Sequence, residues 1–442
     1  MSARGRHAGV AREERLGRDT GFVVAGQVAA VVSAFLFTLV GARLLSVEDF
    51  GALSWALSWL AFLAVLGQFG LTQVATITLA RRDTGDAPTV VRRLLLAQAA
   101  GVGVVVGLWA LAVGPLAAGA GTPPGIYAPL VALVAVWLPA AAVGPVVVNA
   151  LRARGRFGWS LVFGEHVRRV LLIGLLAGTA AAATGTPLTT VLWWAVGLES
   201  AVYAAAVLVL LRIARADEGP GDAAAASPWA LLHLGSAFTV VTLTSAAVPQ
   251  AGVWLLAAFA PVDEVAVLSV AVRIALLLLT PAAIGMRTLA PRIAAAHERG
   301  RLPALEGAIR RFTLWSTAVT TLAVLVLAAT GAWLLPAVFG AGYGEALVPT
   351  LLMAVGVLVN AWTGPCAVLL SHAGHQRTVA TSSALAAAAF FGLSVLLAPS
   401  WGAEGVAAAA AVAMSTRNVA LARIAHRSLG VRTVPALGRR EG

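Results

Sequence analysis

Apolar runs of about 20 residues, the length that crosses a bilayer, recur from Phe22 almost to the C-terminus, and the short stretches between them hold nearly all the charge. With no water in the hydrocarbon to satisfy exposed backbone groups, such runs are read as helices. The balance of residue types agrees: 60% are hydrophobic and 11% charged, with a mean hydropathy of +0.89, well outside the range of soluble domains. The sequence therefore predicts an all-α polytopic membrane protein of about twelve transmembrane helices. They fall near 21–43, 52–79, 94–118, 126–150, 159–183, 188–211, 229–259, 265–287, 312–338, 346–370, 378–398 and 402–422. No soluble domain fits between them. The first run, Phe22 to Gly41, is longer than the roughly 7 to 15 apolar residues of a secretory signal, so it is expected to stay as the first helix.

All 31 Lys and Arg residues are Arg, and the net charge of +12 raises the question of nucleic acid. Their placement answers it. All but five (Arg43, Arg168, Arg169, Arg273 and Arg417) lie in the two chain ends and in alternate connections, such as Arg152, Arg154 and Arg156. The intervening connections carry Glu48, Asp49, Asp263, Glu264, Glu345 and Glu404 instead. Short cytoplasmic loops retain Arg while acids contribute little to topology, so both termini are expected in the cytoplasm. Membrane lipids, and not nucleic acid, are the partners this charge fits. The segments divide into a basic tail over 1–20, a six-helix lobe over 21–215, a linker over 216–228, a second six-helix lobe over 229–426 and a basic tail over 427–442.

The two lobes look duplicated. "SVEDFGALS" from Ser46 returns 215 residues later as "PVDEVAVLS" from Pro261, just before the second and eighth helices. "VGPVVVNALRARGR" from Val143 matches "TGPCAVLLSHAGHQ" from Thr363, and "TLARR" from Thr78 matches "TLAPR" from Thr288, where the second and eighth helices are expected to close. Six helices separate equivalent elements and six is even, so the repeats run parallel. Transporters built this way place a substrate path, here a central cavity, between halves related by an axis along the membrane normal. The repeated acids are expected to be scaffold, because an acid at a helix start is favoured by the free N–H groups and the dipole there.

In the order "GARLLSVEDFGALSWALSW" from Gly41, "VFGAGYGEALVPTLL" from Val338, "SHAGHQRTVATSSA" from Ser371 and "PSWGAEGVAAAAAVA" from Pro399, the chain resembles the polysaccharide flippases of the MOP (multidrug/oligosaccharidyl-lipid/polysaccharide) exporter superfamily, the O-antigen and teichoic acid exporter type. The resemblance implies a cavity lined chiefly by helices 1, 2, 7 and 8 in a bacterial cytoplasmic (inner) membrane. Its substrate would be a lipid-linked glycan on a polyprenyl pyrophosphate carrier, with polysaccharide polymerases or glycosyltransferases as candidate partners. Related lipid II flippases carry two further helices, for which the sequence after Arg427 leaves no room.

A charge inside a span costs roughly 2.5 to 3.5 kcal/mol to insert, which makes such residues functional candidates. Arg273 stands out in the eighth helix, about nine residues or 13 Å inside it at helical rise, on a face shared with Ser269 and Thr280. Its guanidinium suits phosphate oxygens, and snorkelling to the outer surface is the plain alternative. Arg43 joins it as the one arginine of the acidic connections, at a helix end. Gln27, Gln68 and Gln250 offer amides to sugars or to neighbouring helices. Glu165, at i, i+3 and i, i+4 to Arg168 and Arg169, is a candidate local ion pair. Glu199 reads as a proton or cation site or as a buried helix-to-helix contact, and Arg417 joins these as a coupling or structural candidate. No P-loop, zinc motif or nucleophile elbow is present, so no cofactor is expected, and an H+ or Na+ gradient is the candidate drive. A multidrug antiporter would require acids in helices 1, 2, 7 or 8, which hold none; a glycosyltransferase using Glu48 and Asp49 would require a larger outer loop than the sequence provides.

Overall fold

In a computed structural model that describes residues 29–80, 87–119, 124–164, 166–216, 227–299 and 301–435, the described part of every apolar run read from the sequence is helical apart from short breaks, and no strand occurs among the described residues. In chain order the helices are α1 (Ala29–Leu44), α2 (Val47–Gln68), α3 (Leu71–Leu79), α4 (Ala87–Gly119), α5 (Pro124–Ala153), α6 (Phe157–Val162), α7 (His166–Ala181) and α8 (Leu188–Ala216). They continue with α9 (Pro228–Leu256), α10 (Val262–Glu298), α11 (Glu306–Phe339), α12 (Leu347–Thr363), α13 (Cys366–His372) and α14 (Gln376–Leu429). Eight described helices are long and apolar enough to cross a membrane. The chain is an all-α multi-pass membrane protein.

The repeated acids mark the helix starts closely. α2 begins at Val47 and α10 at Val262, the same 215 residues apart, each with two acids in its first turn. Ser46 caps α2: its hydroxyl accepts the Asp49 N–H at 3.0 Å and donates to the Asp49 carboxylate at 2.8 Å, satisfying a donor that a helix start leaves open. The match at the helix ends is poorer. α3 stops at Leu79, but α10 runs through Pro281 and through the "TLAPR" stretch to Glu298, well past the expected end at 287.

Breaks within spans have local causes. Positive φ at Phe69 (44°) and Gly70 (66°) separates α2 from α3, and the buried Gln98 of α4 donates to the Gly67 carbonyl that the break leaves without its helical partner. α14 spans two expected helices because it turns at Gly402 (φ 49°, ψ −130°) into arms over 376–401 and 403–429. A Cβ at Gly402 would fall on the Glu264 carboxylate, which accepts the Ala403 N–H at 2.8 Å. Glu264 therefore caps a helix 139 residues away rather than only its own, and glycine supplies both the backbone angle and the room.

The helices form two compact units. One holds α1, Trp59–Gly119 and Pro123–Leu243; the other holds Leu45–Ser58 and the described residues of Thr244–Gly442. In the first, α5 is central, packing against α3, α4 and α8. In the second, α12 is central, against α10, α11 and α14. The opening turns of α2 belong to this second unit: Gly51 lies against the Val262 carbonyl, and Phe50 meets Tyr343 edge-on with ring centroids 6.0 Å apart, a pairing worth about 0.5–1.5 kcal/mol beyond its burial. Residues 430–433, directly after α14, are packed against the unit. Gly430 ends the helix with φ 68°, Val431 and Thr433 are buried, and the Arg432 N–H reaches Glu306 at 3.2 Å. Val431 completes an apolar cluster with Ile293, Ile309, Cys366, Leu369 and Leu421.

Large exposed tryptophans collect near helix ends: Trp193 and Trp194 on α8, Trp229 on α9, Trp333 on α11 and Trp401 at the α14 break. That is the distribution of interfacial anchors, with an apolar ring in lipid and an N–H near water.

Candidate functional site

Polar side chains gather at three places within the apolar helices. In the first unit α7 carries Arg168 and Arg169 at successive positions, about 100° apart around the helix, so the two guanidinium groups go separate ways. Arg168 Nε donates to both carboxylate oxygens of Glu199 on α8 at 3.0 Å. The Trp137 indole of α5 donates to Glu199 Oε2 at 2.6 Å, and the Arg168 guanidinium lies 5.7 Å from the centre of the Trp137 ring. Glu199 is fully buried. Arg169 instead donates to the Ala30 carbonyl of α1 at 2.9 Å, an oxygen that also accepts the Ser33 hydroxyl. A charge buried in this way requires a partner and hydrogen bonds to its remaining lone pairs, and Glu199 has both. The carboxylate described beside Arg168 is therefore on another helix; Glu165, the local partner expected from the sequence, lies outside the described residues.

In the second unit α12 and the two arms of α14 meet in a polar chain. Arg417 Nε donates to Ser383 Oγ at 3.0 Å, and its Nη1 to Asn418 Oδ1 at 3.3 Å. Asn418, buried, donates in turn to Asn360 Oδ1 at 3.1 Å. These partners are neutral.

The third place is α10. Val265, Ala266, Val267, Leu268, Val270, Ala271 and Val272 are buried, while Ser269, Arg273 and Thr280 are half-buried on one face. Because α10 starts at Val262, Arg273 stands about 16 Å from the helix start at helical rise, deeper than the sequence suggested. The Ser269 hydroxyl is turned back to the Val265 carbonyl at 2.8 Å, and that of Thr280 to Leu276 at 3.2 Å. Arg273 is the charged group of this stripe.

The remaining candidates are dispersed. Arg43 is exposed at the end of α1. Gln68 is half-buried and accepts the Thr72 hydroxyl at 2.8 Å, and Gln250 is half-buried on α9. Gln27 lies outside the described residues. No cluster of His, Cys, Asp or Glu able to hold a metal occurs among the described residues. Sequence reasoning passed over Trp137, Ser383, Asn360 and Asn418. The two asparagines were discoverable, since an amide inside an apolar span requires a partner; Trp137 gives no such signal.

These helices have the fold of transporters of the MOP superfamily. An inward-facing multidrug resistance MATE family transporter of that superfamily aligns with a TM-score of 0.70 at 14% identity, over 90% of this chain and 94% of its own. The lipid II flippase MurJ, in an inward closed conformation, aligns at 0.66 and 11% identity, over 91% and 87%. A MOP superfamily transporter from Pyrococcus furiosus, described as having a binding pocket of reverse polarity, aligns at 0.57 and 14% identity, over 94% and 95%. No family model matches the chain. No curated protein sequence matches it either.

Proposed function

We propose that the chain is a secondary-active flippase that moves a polyprenyl-pyrophosphate-linked oligosaccharide, or a related cell-envelope glycan precursor, across the bacterial cytoplasmic membrane by alternating access, with both termini cytoplasmic. The observation that carries this reading is Arg273, a cation deep within α10 on its half-buried face. A guanidinium there suits a phosphate-bearing lipid and repels an organic cation. Acids along α2, α3, α9 and α10 support the same choice by their position: Glu48, Asp49, Asp263, Glu264 and Glu298 all stand at helix ends. The interior acid Glu199 already has a cation beside it. Transport of organic cations by an antiporter, a reading open to a multidrug resistance transporter such as the MATE neighbour, has less to work with here. One neighbour is itself described by a pocket of reverse polarity that suggests a different function. An H+ or Na+ gradient, or consumption of the glycan by a polymerase or glycosyltransferase on the outer face, would drive the cycle.

The test is complementation of a host lacking its own polysaccharide flippase, at matched membrane abundance. Loss of one charge-assisted contact of about 1.5–3 kcal/mol predicts that Arg273→Ala lowers glycan export by roughly 10- to 150-fold, with Arg273→Lys recovering only part because it cannot bind two oxygens at once. Full export by Arg273→Ala would remove this residue from the mechanism. Drug resistance conferred by the wild type without any rescue would replace the flippase reading with the antiporter.

A further inference from the structure

The equivalent helices of the two halves are tied together by an arginine, but among the described residues a carboxylate faces the arginine in only one. Arg168 joins α7, α8 and α5 through Glu199 and Trp137. Arg417 joins the two arms of α14 and α12 through Ser383, Asn418 and Asn360, with neutral partners in each of these contacts. Of the five N–H donors of a guanidinium, these contacts take two. Arg417 is half-buried, about 18 Å from Leu429 at helical rise, and Ser383 is about 10 Å from Gln376 by the same measure. An arginine at such depth, held by a hydroxyl and a pinned amide, has only neutral groups in these contacts and three further N–H donors that they do not use.

We infer that Ser383, Arg417, Asn418 and Asn360 form an anion site within the second unit, and that it takes a phosphate-type oxyanion. The flat fork of donors matches paired oxygens rather than a spherical ion. The Asn360–Asn418 contact holds the guanidinium in place before the ligand arrives, which lowers the ordering cost of binding. The phosphate has two sources, a free oxyanion or the phosphate of a polyprenyl lipid. The site does not depend on the transport reading, because binding is measured on the protein without turnover.

The experiment uses the full chain in phosphatidylcholine nanodiscs, titrated with inorganic phosphate in one arm and prepared with a low mole fraction of polyprenyl phosphate in the other. Binding and the thermal unfolding midpoint are both read. The expected result is saturable stabilisation by at least one probe, with affinity lowered tenfold or more in Arg417→Gln and partly restored in Arg417→Lys. Stabilisation by inorganic phosphate identifies a free oxyanion; stabilisation by the polyprenyl probe alone identifies the lipid. If Arg417→Gln does not fold, Ser383→Ala takes its place, with a several-fold loss of affinity expected. The proposal is overturned if neither probe binds the wild type, if binding is unchanged in the variants, or if it survives Arg417→Gln and is lost in Arg273→Ala.

Discussion

Replacing Glu199 tests whether the first unit is held by a buried ion pair. The Glu199 side chain is 1% exposed and that of Arg168 is 23% exposed, so removing the carboxylate's charge takes a buried counter-charge away from a largely dehydrated guanidinium. Breaking a buried pair from one side costs about 3–5 kcal/mol. Glu199→Gln keeps an acceptor for the Trp137 N–H and belongs at the lower end, near 3 kcal/mol by that measure. Glu199→Ala also orphans the indole, adding about 1–3 kcal/mol. The double variant Arg168→Met with Glu199→Met removes both charges, which is often neutral for a buried pair, but still leaves the Trp137 N–H without its acceptor, so a loss of only about 1–3 kcal/mol is expected. The cycle should then show a coupling of at least about 2 kcal/mol, measured by reversible unfolding in mixed micelles followed by tryptophan fluorescence. Additive single effects, or a Glu199→Gln protein within about 0.5 kcal/mol of the wild type, would show that Arg168 has another anchor and would sink the argument.

Gly402→Ala forces a side chain into positive φ and onto the Glu264 carboxylate, with an expected loss of about 1–3 kcal/mol. Glu264→Ala removes the cap alone and should cost about 1 kcal/mol; thermal unfolding of both variants and the double should show less than the sum, because they disturb one contact. Thr433→Val replaces a buried hydroxyl that has no hydrogen-bond partner among the described residues and should change stability by less than about 0.5 kcal/mol or raise it. Removing everything from Gly430 onward uncovers the apolar cluster completed by Val431 and should lower the unfolding midpoint clearly.

Periodicity and charge made the spans legible, since an apolar run long enough to cross a bilayer has one stable outcome. The repeated acids made two helix starts legible, because a cap is a local device: Ser46 and Asp49 are three residues apart. What the sequence hid was long-range. The same Gly-Pro pair leaves α5 continuous at Gly144-Pro145 yet ends α12 at Gly364-Pro365. The difference lies in what covers it: Gly144 sits under the Tyr203 ring, whereas Gly364, at φ 68°, is crowded by Thr313 and Thr433. Nothing within several residues of either glycine announces that. The partners of Glu264 and Arg168 are hidden for the same reason, 139 and 31 residues away. For the candidate site, the charges were visible and their pairings were not.

Duplication also explains why charge, rather than shape, is where the halves parted. A six-helix unit requires its fourth, fifth and sixth helices fastened together, and in lipid a polar contact does this where apolar burial cannot. Arg168 and Arg417 answer the same requirement with different residues. Glu199 and Trp137 leave the first joint electrically closed, so it can bear load but has little to offer an ion. Ser383, Asn418 and Asn360 fasten the second joint without cancelling its charge, and an uncancelled charge at that depth is costly enough to need a use. The joint whose arginine meets only neutral groups in these contacts is therefore the one with free energy to gain from an anion.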